Sequence, residues 1–186
     1  LLSLSLAACA SLPDRSATVT VGIAAFNDFH GSLEPPKLVV PVPGPQGPVA
    51  VPAGGAAWMA STLDEVRGRY QHHLTVSAGD MIGASQLASS LHLDEPTIAA
   101  MNRMGLDYAA VGNHEFDRGS AELRRMQQGG CAKHTAREPC LLEPFAGARF
   151  RFLAASTRLP DGSTLFPATA LHRFGKGRRQ VRVGVI

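Results

Sequence analysis

The sequence predicts a layered α/β domain in which β-sheets are flanked by helices. Short apolar, strand-like runs alternate along the chain with segments of helical periodicity, which is the pattern of α/β folds. The chain has 186 residues, 45% of them hydrophobic, which is enough for one buried core. Its 19 glycines and 13 prolines favour abundant loops, and a charged fraction of only 18% argues against a coiled coil.

The elements follow from local patterns. Apolar runs that end in polar or glycine-containing turns predict strands over residues 18–26, 73–78, 108–111 and 150–155. Apolar residues at helical spacing, with Pro or Gly near the ends, predict helices over residues 55–70, 97–104 and 120–128. Residues 181–186 alternate in polarity as a further strand would.

One segment has a different composition from the rest. Residues 35–52 contain seven prolines, at positions 35, 36, 41, 43, 45, 48 and 52. Proline lacks the N–H group that helices and sheets require, so we expect an extended surface insertion without a regular element.

The formal net charge of +3 and the pI near 9.0 are too weak and too unfocused to predict binding to a nucleic-acid polymer. Residues 1–117 carry 5 basic and 11 acidic side chains, and residues 118–186 carry 13 and 4. The first half can therefore hold cations and the second can attract phosphates. The arginine pairs at 124–125 and 178–179 are expected on solvated faces, with steering of an anionic substrate as the alternative.

Residues 1–10 resemble the remnant of an export signal, because the apolar run is far too short to span a bilayer. Residues 6–9 (LAAC) resemble a bacterial lipoprotein box, in which Cys9 receives the lipid. Residues 8–10 (ACA) also fit an ordinary small-x-small cleavage site. A buried N-terminal strand is disfavoured because polar residues and a proline follow at once. Both export routes predict a periplasmic protein, lipid-anchored to the membrane if Cys9 is modified.

The other two cysteines, Cys131 and Cys140, close a short loop. An oxidising compartment would allow a disulfide between them, and two unpaired thiols are the alternative that their spacing leaves open. A zinc knuckle is poorly supported because only His134 lies between them.

Metal-competent side chains follow three of the predicted strands. Asp28 and His30 come after the first strand, Asp80 after the second, and Asn113 and His114 after the third. Ligand sites in α/β sheets lie at the carboxyl ends of the strands, so these side chains can converge. A mixed set of imidazole, carboxylate and amide ligands suits Mn, Fe, Co or Zn.

Such a set has a specific chemical use. One carboxylate can bridge two cations, and paired cations can activate water and stabilise the oxygens of a phosphoester. Asp117 follows His114 by three residues and can orient and charge that imidazole. His114 would then stabilise the transition state or protonate the leaving group.

Four motifs together resemble a known family: NDFHG at residues 27–31, GD at 79–80, GNHEFD at 112–117 and DEPTIAAMNRMG at 94–105. They are similar to motifs of the calcineurin-like metallophosphoesterases, in the 5′-nucleotidase branch that includes UDP-sugar hydrolases and 2′,3′-cyclic-nucleotide phosphodiesterases. The resemblance extends from about residue 19 to residue 186.

The resemblance implies roles for individual residues. Asp28 and His30 would bind the first of two divalent metal ions, Asp80 would bridge the two, and Asn113 would bind the second. His114 would be the catalytic imidazole, supported by Asp117. The implied substrate is a nucleotide or another small phosphoester.

The resemblance also implies a domain organisation. Residues 17–186 would be the N-terminal part of the metallophosphoesterase domain, with further metal-binding histidines and a C-terminal substrate domain lying beyond residue 186. We therefore expect activity from the parent protein rather than from the isolated fragment.

The sequence leaves two alternatives to a nucleotide hydrolase. A thiosulfohydrolase of the same fold would also use two metals, but that type replaces the residue at the position of His114. A lipoprotein could bind metal without catalysis, but the complete set of site residues argues against it. The sequence leaves the preferred nucleotide, the native metal and the oligomeric state open.

Overall fold

The computed structural model describes residues 18–37, 39–177 and 180–186 of the chain. In chain order the elements are β1 (Val21–Phe26), β2 (Val39–Val42), β3 (Val49–Pro52), α1 (Ala56–Gly68), β4 (His72–Ser77), α2 (Leu87–Ser90), α3 (Glu95–Met104), β5 (Tyr108–Ala110), α4 (Gly119–Gln128), β6 (Arg151–Leu153), β7 (Ala170–Phe174) and β8 (Val181–Val185). A 3₁₀ turn over His114–Phe116 separates β5 from α4.

A four-stranded parallel sheet forms the centre of the fold, in the order β1-β4-β5-β6. Phe26 at the end of β1 pairs with Ser77 at the end of β4, and Ser77 in turn pairs with Ala109 near the end of β5. These three strands therefore end at the same edge of the sheet, and the loops that follow them meet there.

The two faces of the sheet are covered differently. Successive side chains of a strand point to opposite faces, so Ala109 packs in the larger core and Tyr108 in a smaller one. The larger core contains the buried faces of the long helices, including Leu63, Ile98 and Leu123. The smaller core lies under the antiparallel hairpin of β7 and β8.

This architecture confirms the predicted layered α/β class, because one sheet is held between helices and a second, two-stranded sheet. The four predicted core strands and three predicted helices are present, with bounds that differ by a few residues. The short α2 and β7 were not predicted from the sequence. None of the helices among the described residues is long and apolar enough to cross a membrane.

The prediction that residues 35–52 form no regular element is wrong. β2 and β3 pair as an antiparallel ribbon, with Val39 opposite Pro52 and Pro41 opposite Ala50. Both strands of an isolated ribbon are edge strands. A proline whose nitrogen faces solvent therefore costs no hydrogen bond between the two strands. The side chains of the ribbon are exposed, apart from half-buried Val51.

The expectation of a solvated Arg125 is also wrong. Arg125 is only 2% exposed and forms ion pairs with Glu95 and Glu122, both at 2.7 Å. Its guanidinium lies 5.0 Å from the ring centroid of Phe145. Arg125 thus ties α3, α4 and the following loop together. The predicted signal at residues 1–10, with Cys9, and the pair at 178–179 lie outside the described residues.

Candidate metal centre

The candidate site lies where the loops after β1, β4 and β5 meet. Backbone hydrogen bonds join the first two loops: Asp28 N–H donates to the Gly79 carbonyl at 3.1 Å, and His30 N–H donates to the Asp80 carbonyl at 3.1 Å. Gly31 N–H donates to the Met81 carbonyl at 2.9 Å. The two loops therefore continue the parallel pairing of β1 and β4 beyond the sheet.

Three side chains from these loops form a compact cluster. Asp28, His30 and Asp80 each offer a ligand atom, and these atoms lie within 4.8 Å of one another. The Asp28 side chain is 56% exposed and that of His30 27%, so the cluster is open to solvent on one side. Two carboxylates and one imidazole are ligands that divalent transition metals and zinc accept.

The hydrogen bond of His30 prepares the ring for metal binding. Its Nδ1 lies 2.8 Å from the Gly83 carbonyl, which can only accept, so Nδ1 carries the proton. The other ring nitrogen, Nε2, then has a free lone pair and lies 3.7 Å from an oxygen of Asp28. A backbone carbonyl behind a histidine ligand fixes its tautomer in many metal sites, so the residues present fit a metal ion.

The backbone at all three ligand positions is strained. Asp28, His30 and Asp80 have φ values of 52°, 45° and 53°, in the left-handed region that L-residues rarely adopt. Such strain persists only where the surrounding structure enforces it, and it is common at functional sites. Here the cross-loop backbone hydrogen bonds supply that enforcement.

Two glycines allow the loops to approach each other closely. A Cβ atom at Gly112 would collide with the carboxylate of Asp80. A Cβ atom at Gly79, which also has a φ of +110°, would lie 2.6 Å from the backbone nitrogen of Gly112. Any side chain at either position would push the loop after β5 away from the loop after β4.

Glu115 holds these two loops from beneath. Its side chain is buried and accepts hydrogen bonds from the backbone N–H groups of Asp80 at 2.8 Å, Met81 at 2.8 Å and Gly112 at 2.6 Å. Burial raises the pKa of the Glu115 carboxyl, and the three N–H donors counteract part of that rise. Glu115 is therefore part of the scaffold of the site rather than of its open face.

His114 and Asp117 form a hydrogen-bonded pair beside the cluster. His114 Nδ1 lies 2.9 Å from Oδ2 of Asp117, and this hydrogen bond raises the pKa of the imidazole. The same carboxylate oxygen accepts from the backbone N–H of Ala84 at 3.2 Å. The backbone N–H of His114 donates to Asp80 at 2.9 Å, which joins the pair to the cluster.

The remaining candidate residues are Asn113 and the two cysteines Cys131 and Cys140. Asn113 is exposed and directly precedes the 3₁₀ turn that carries His114. A disulfide joins Cys131 and Cys140, whose Cα atoms are 5.6 Å apart. Cys140 is anchored to α3 rather than to the site, because its N–H donates to the carboxylate of Glu95. Gly83 and Ala84 could not be identified from the sequence, because they act through backbone atoms, which every residue type has.

The chain is similar in sequence to known bacterial proteins. No protein-family model matches the chain. A protein of Acinetobacter calcoaceticus, described only as an uncharacterised protein in the pqq-V 5′ region, is 46% identical over 169 residues, covering 88% of this chain and 83% of that protein. The NAD 5′-nucleotidase of Haemophilus influenzae is 31% identical over 126 residues, covering 68% of this chain and 20% of the nucleotidase.

A solved structure agrees with these relatives. The calcineurin-like phosphoesterase YfkN of Bacillus subtilis superposes with a TM-score of 0.57 at 19% identity, over 87% of this chain and 46% of that chain. The chain thus spans about a fifth of the length of the Haemophilus nucleotidase and just under half of the length of YfkN. The resemblance found in the motifs is confirmed, because the relatives and structural neighbours of this chain include 5′-nucleotidases and a calcineurin-like phosphoesterase, and the chain shares their fold.

Proposed function

We propose that this chain belongs to an exported, divalent-metal-dependent phosphoester hydrolase that acts on nucleotides. The observation that carries the proposal is the convergence of Asp28, His30 and Asp80 on one spot, with the His114–Asp117 pair hydrogen-bonded beside them. Carboxylates, an accessible imidazole and a charged dyad at the carboxyl ends of parallel strands are what metal-assisted hydrolysis requires.

Two divalent ions of the Mn, Zn, Fe or Co class are the proposed cofactors. Asp28 and His30 would hold the first, Asp80 would contact both, and Asn113 would hold the second. When bound, such ions polarise a phosphoester and lower the pKa of water. Because one oxygen of Asp80 accepts the N–H of His114, the carboxylate keeps a fixed orientation with its other oxygen available.

His114 is the proposed catalytic residue. Its Nδ1 is bonded to Asp117, so Nε2 is the nitrogen available to a substrate. The Asp117 hydrogen bond raises the pKa of His114 and so increases the protonated fraction near neutral pH. A protonated imidazole at that position can stabilise negative charge on the phosphoryl group or protonate the leaving alkoxide.

The substrate class is inferred from chemistry and from family. Relatives include enzymes named as 5′-nucleotidases, so a nucleoside monophosphate is the first substrate to test. The activity is assigned to the full-length protein, of which residues 17–186 would form the N-terminal part of the metallophosphoesterase domain. A separate substrate-binding domain is part of the same proposal.

The test uses purified full-length protein supplied with Mn²⁺ or Zn²⁺ and a nucleoside monophosphate. We expect release of inorganic phosphate, which the substitution His114→Ala reduces by about 10²–10⁴-fold while bound metal is retained. His134→Ala is the matched control, because His134 is an exposed histidine in the disulfide loop. Full turnover by the His114→Ala variant would contradict the role proposed for His114.

The same preparation tests the alternatives. A thiosulfohydrolase would cleave a thiolsulfonate faster than a nucleoside monophosphate, and a non-catalytic lipoprotein would hydrolyse neither. Metal content measured by mass spectrometry separates the last case further. Absence of divalent metal from wild-type protein after incubation with Mn²⁺ would remove the hydrolase proposal.

Export is proposed together with this activity. It is supported by the signal-like residues 1–10 and by the disulfide between Cys131 and Cys140, a bond that persists in oxidising compartments. Lipid attachment at Cys9 predicts incorporation of labelled palmitate that Cys9→Ser abolishes. Recovery of the wild-type protein in the periplasmic fraction without label would favour ordinary cleavage instead.

A further inference from the structure

We propose that Asp94, through its ion pair with Arg118, is a positioning residue that holds both imidazoles of the candidate metal centre, His30 and His114. The inference deepens the proposed function and rests on it for the roles of the two histidines. Asp94 itself lies outside the metal cluster, so it would act only through other residues.

Asp94 is fully buried at the start of α3 and is hydrogen-bonded on both carboxylate oxygens. Oδ1 accepts from the hydroxyl of Ser89 at 2.7 Å. Oδ2 accepts from the backbone N–H of Gly83 at 3.3 Å and from the guanidinium of Arg118. A buried carboxylate with this many partners has a fixed position, and it fixes the groups that donate to it.

The dipeptide Gly83–Ala84 connects Asp94 to the two histidines. The Gly83 carbonyl accepts the Nδ1 proton of His30, and the Ala84 N–H donates to the Asp117 oxygen that binds His114. One short segment therefore contacts both imidazole systems. Asp94 binds that segment from its buried side, through the N–H of Gly83.

Arg118 closes the arrangement. It directly follows Asp117 in the chain, and its guanidinium pairs with Asp94. The same guanidinium donates to the Ser90 carbonyl at 3.5 Å, which ties α2 to the start of α4. Asp94 is thus linked to Asp117 by two routes. One runs through Gly83 and Ala84, and the other through Arg118, the residue that follows Asp117 in the chain.

Backbone geometry supports a role beyond packing. Asp94 and Ala84 both have positive φ values, 64° and 45°, and neither is a glycine. Left-handed backbone at two non-glycine residues is costly and persists only where surrounding contacts hold it. The hydrogen bonds of Asp94 and the bond from Ala84 to Asp117 are such contacts. Loss of those contacts would allow Gly83 and Ala84 to relax and would release both histidines from their present orientations.

The test compares two buried ion pairs in the full-length protein. Asp94→Asn removes the charge that holds Gly83 and Arg118. Glu122→Gln is the matched control, because Glu122 is also buried, pairs with Arg125 and forms no hydrogen bond with Gly83 or Ala84 among the described residues. Ser89→Ala removes one hydrogen bond to Asp94 and keeps its charge, so it serves if Asp94→Asn does not fold.

The first readout is the tautomer of His30 in metal-free protein, from long-range ¹H–¹⁵N spectra assigned with His30→Asn. Wild type and Glu122→Gln are expected to show the Nδ1–H form alone, and Asp94→Asn or Ser89→Ala a mixture. The second readout is Mn²⁺ affinity, which we expect Asp94→Asn to weaken about tenfold with Glu122→Gln unchanged.

The outcomes separate this inference from the proposed function. Wild-type tautomer and Mn²⁺ affinity in the Asp94 and Ser89 variants would overturn the positioning role, as would equal changes in Glu122→Gln. A wild-type protein that binds no Mn²⁺ or releases no phosphate would overturn the proposed function instead, while the tautomer comparison would still decide the role of Asp94.

Discussion

His30 and His114 meet edge to face, with ring centroids 4.9 Å apart and ring planes at 84°. Each ring has its Nδ1 engaged by a different partner, the Gly83 carbonyl for His30 and the Asp117 carboxylate for His114. The carbonyl partner of His30 places a proton on Nδ1 and so directs Nε2 toward a metal ion, whereas the carboxylate partner of His114 raises the pKa of that imidazole. Two adjacent imidazoles are thereby suited to two different tasks.

The first prediction concerns the carboxylate behind His114. Asp117→Asn removes the negative charge that raises the pKa of His114 but keeps a side chain of similar size. We expect kcat for phosphate release to fall by about 10²-fold or more with little change in KM, because the loss affects charge stabilisation in the transition state. Steady-state kinetics with a nucleoside monophosphate measure this.

A matched control for Asp117→Asn is Asp161→Asn. Asp161 is an exposed turn carboxylate that accepts hydrogen bonds from its neighbour Ser163. This variant should keep wild-type kcat. If Asp117→Asn changed KM alone, His114 would be a binding group rather than a proton donor.

The second prediction concerns the close contact between two loops. Gly112→Ala places a Cβ against the Asp80 carboxylate, although the backbone of Gly112 is not in the left-handed region. We expect Mn²⁺ affinity to fall about tenfold or more because the loop after β5 must move. Isothermal titration of the purified variant with Mn²⁺ measures the change.

Gly68→Ala is the control for that substitution. Gly68 ends α1, has open space where a Cβ would lie, and is not in the left-handed region. Alanine there should stabilise the protein by about 0.5–1 kcal/mol and leave metal binding unchanged. An unaffected Gly112→Ala variant would show that the two loops do not need their present separation.

The sheet edge that carries the site could be predicted from the sequence. Each of the strands before Asp28, Asp80 and Asn113 is short and ends in a turn that contains Gly or Asn. Parallel strands of an α/β sheet have their carboxyl ends at one edge. The meeting of the three loops follows from that topology. The β2–β3 ribbon did not follow, because proline content indicates a loop unless the strand is at an edge.

The supporting residues could not be predicted for a different reason. Asp94 and Arg125 are charged residues in polar stretches, and such residues are usually exposed. Their burial depends on partners distant in sequence, Arg118 for Asp94 and Glu95 for Arg125. Neither hydrophobic periodicity nor a local motif reports on a partner of that kind.

The third prediction concerns the disulfide. Replacing Cys131 and Cys140 by serine opens a loop whose ends are nine positions apart in sequence. Loop-closure entropy for that length corresponds to about 2–3 kcal/mol of stability. Urea unfolding should show this loss. Mn²⁺ affinity and kcat should stay at wild-type values, because the loop is hydrogen-bonded to Glu95 of α3 rather than to the metal cluster. A parallel loss of metal affinity would show that the loop supports the site.

The last prediction concerns stability in acid. Burial alone would raise the pKa of Asp94, but the hydrogen bonds from Ser89 and Arg118 and the positive charge of Arg118 outweigh it, so the pKa lies below the ordinary value of 3.8. A carboxyl whose pKa is lower in the folded than in the unfolded state stabilises the fold above its unfolded pKa, and that contribution is lost as the pH falls through the folded pKa. The free energy of unfolding should therefore decrease from about pH 5 downwards.

Asp94→Asn tests the origin of that decrease. The variant leaves Arg118 without its buried partner, so we expect it to be less stable than wild type by about 3–5 kcal/mol at pH 7. It also lacks the titrating group, so its stability should fall less steeply between about pH 5 and pH 3. Urea unfolding at a series of pH values measures both effects. Curves that stay parallel down to pH 3 would mean that other carboxylates cause the acid sensitivity, and that the Asp94 carboxylate is not held in its charged form by Arg118 and Ser89.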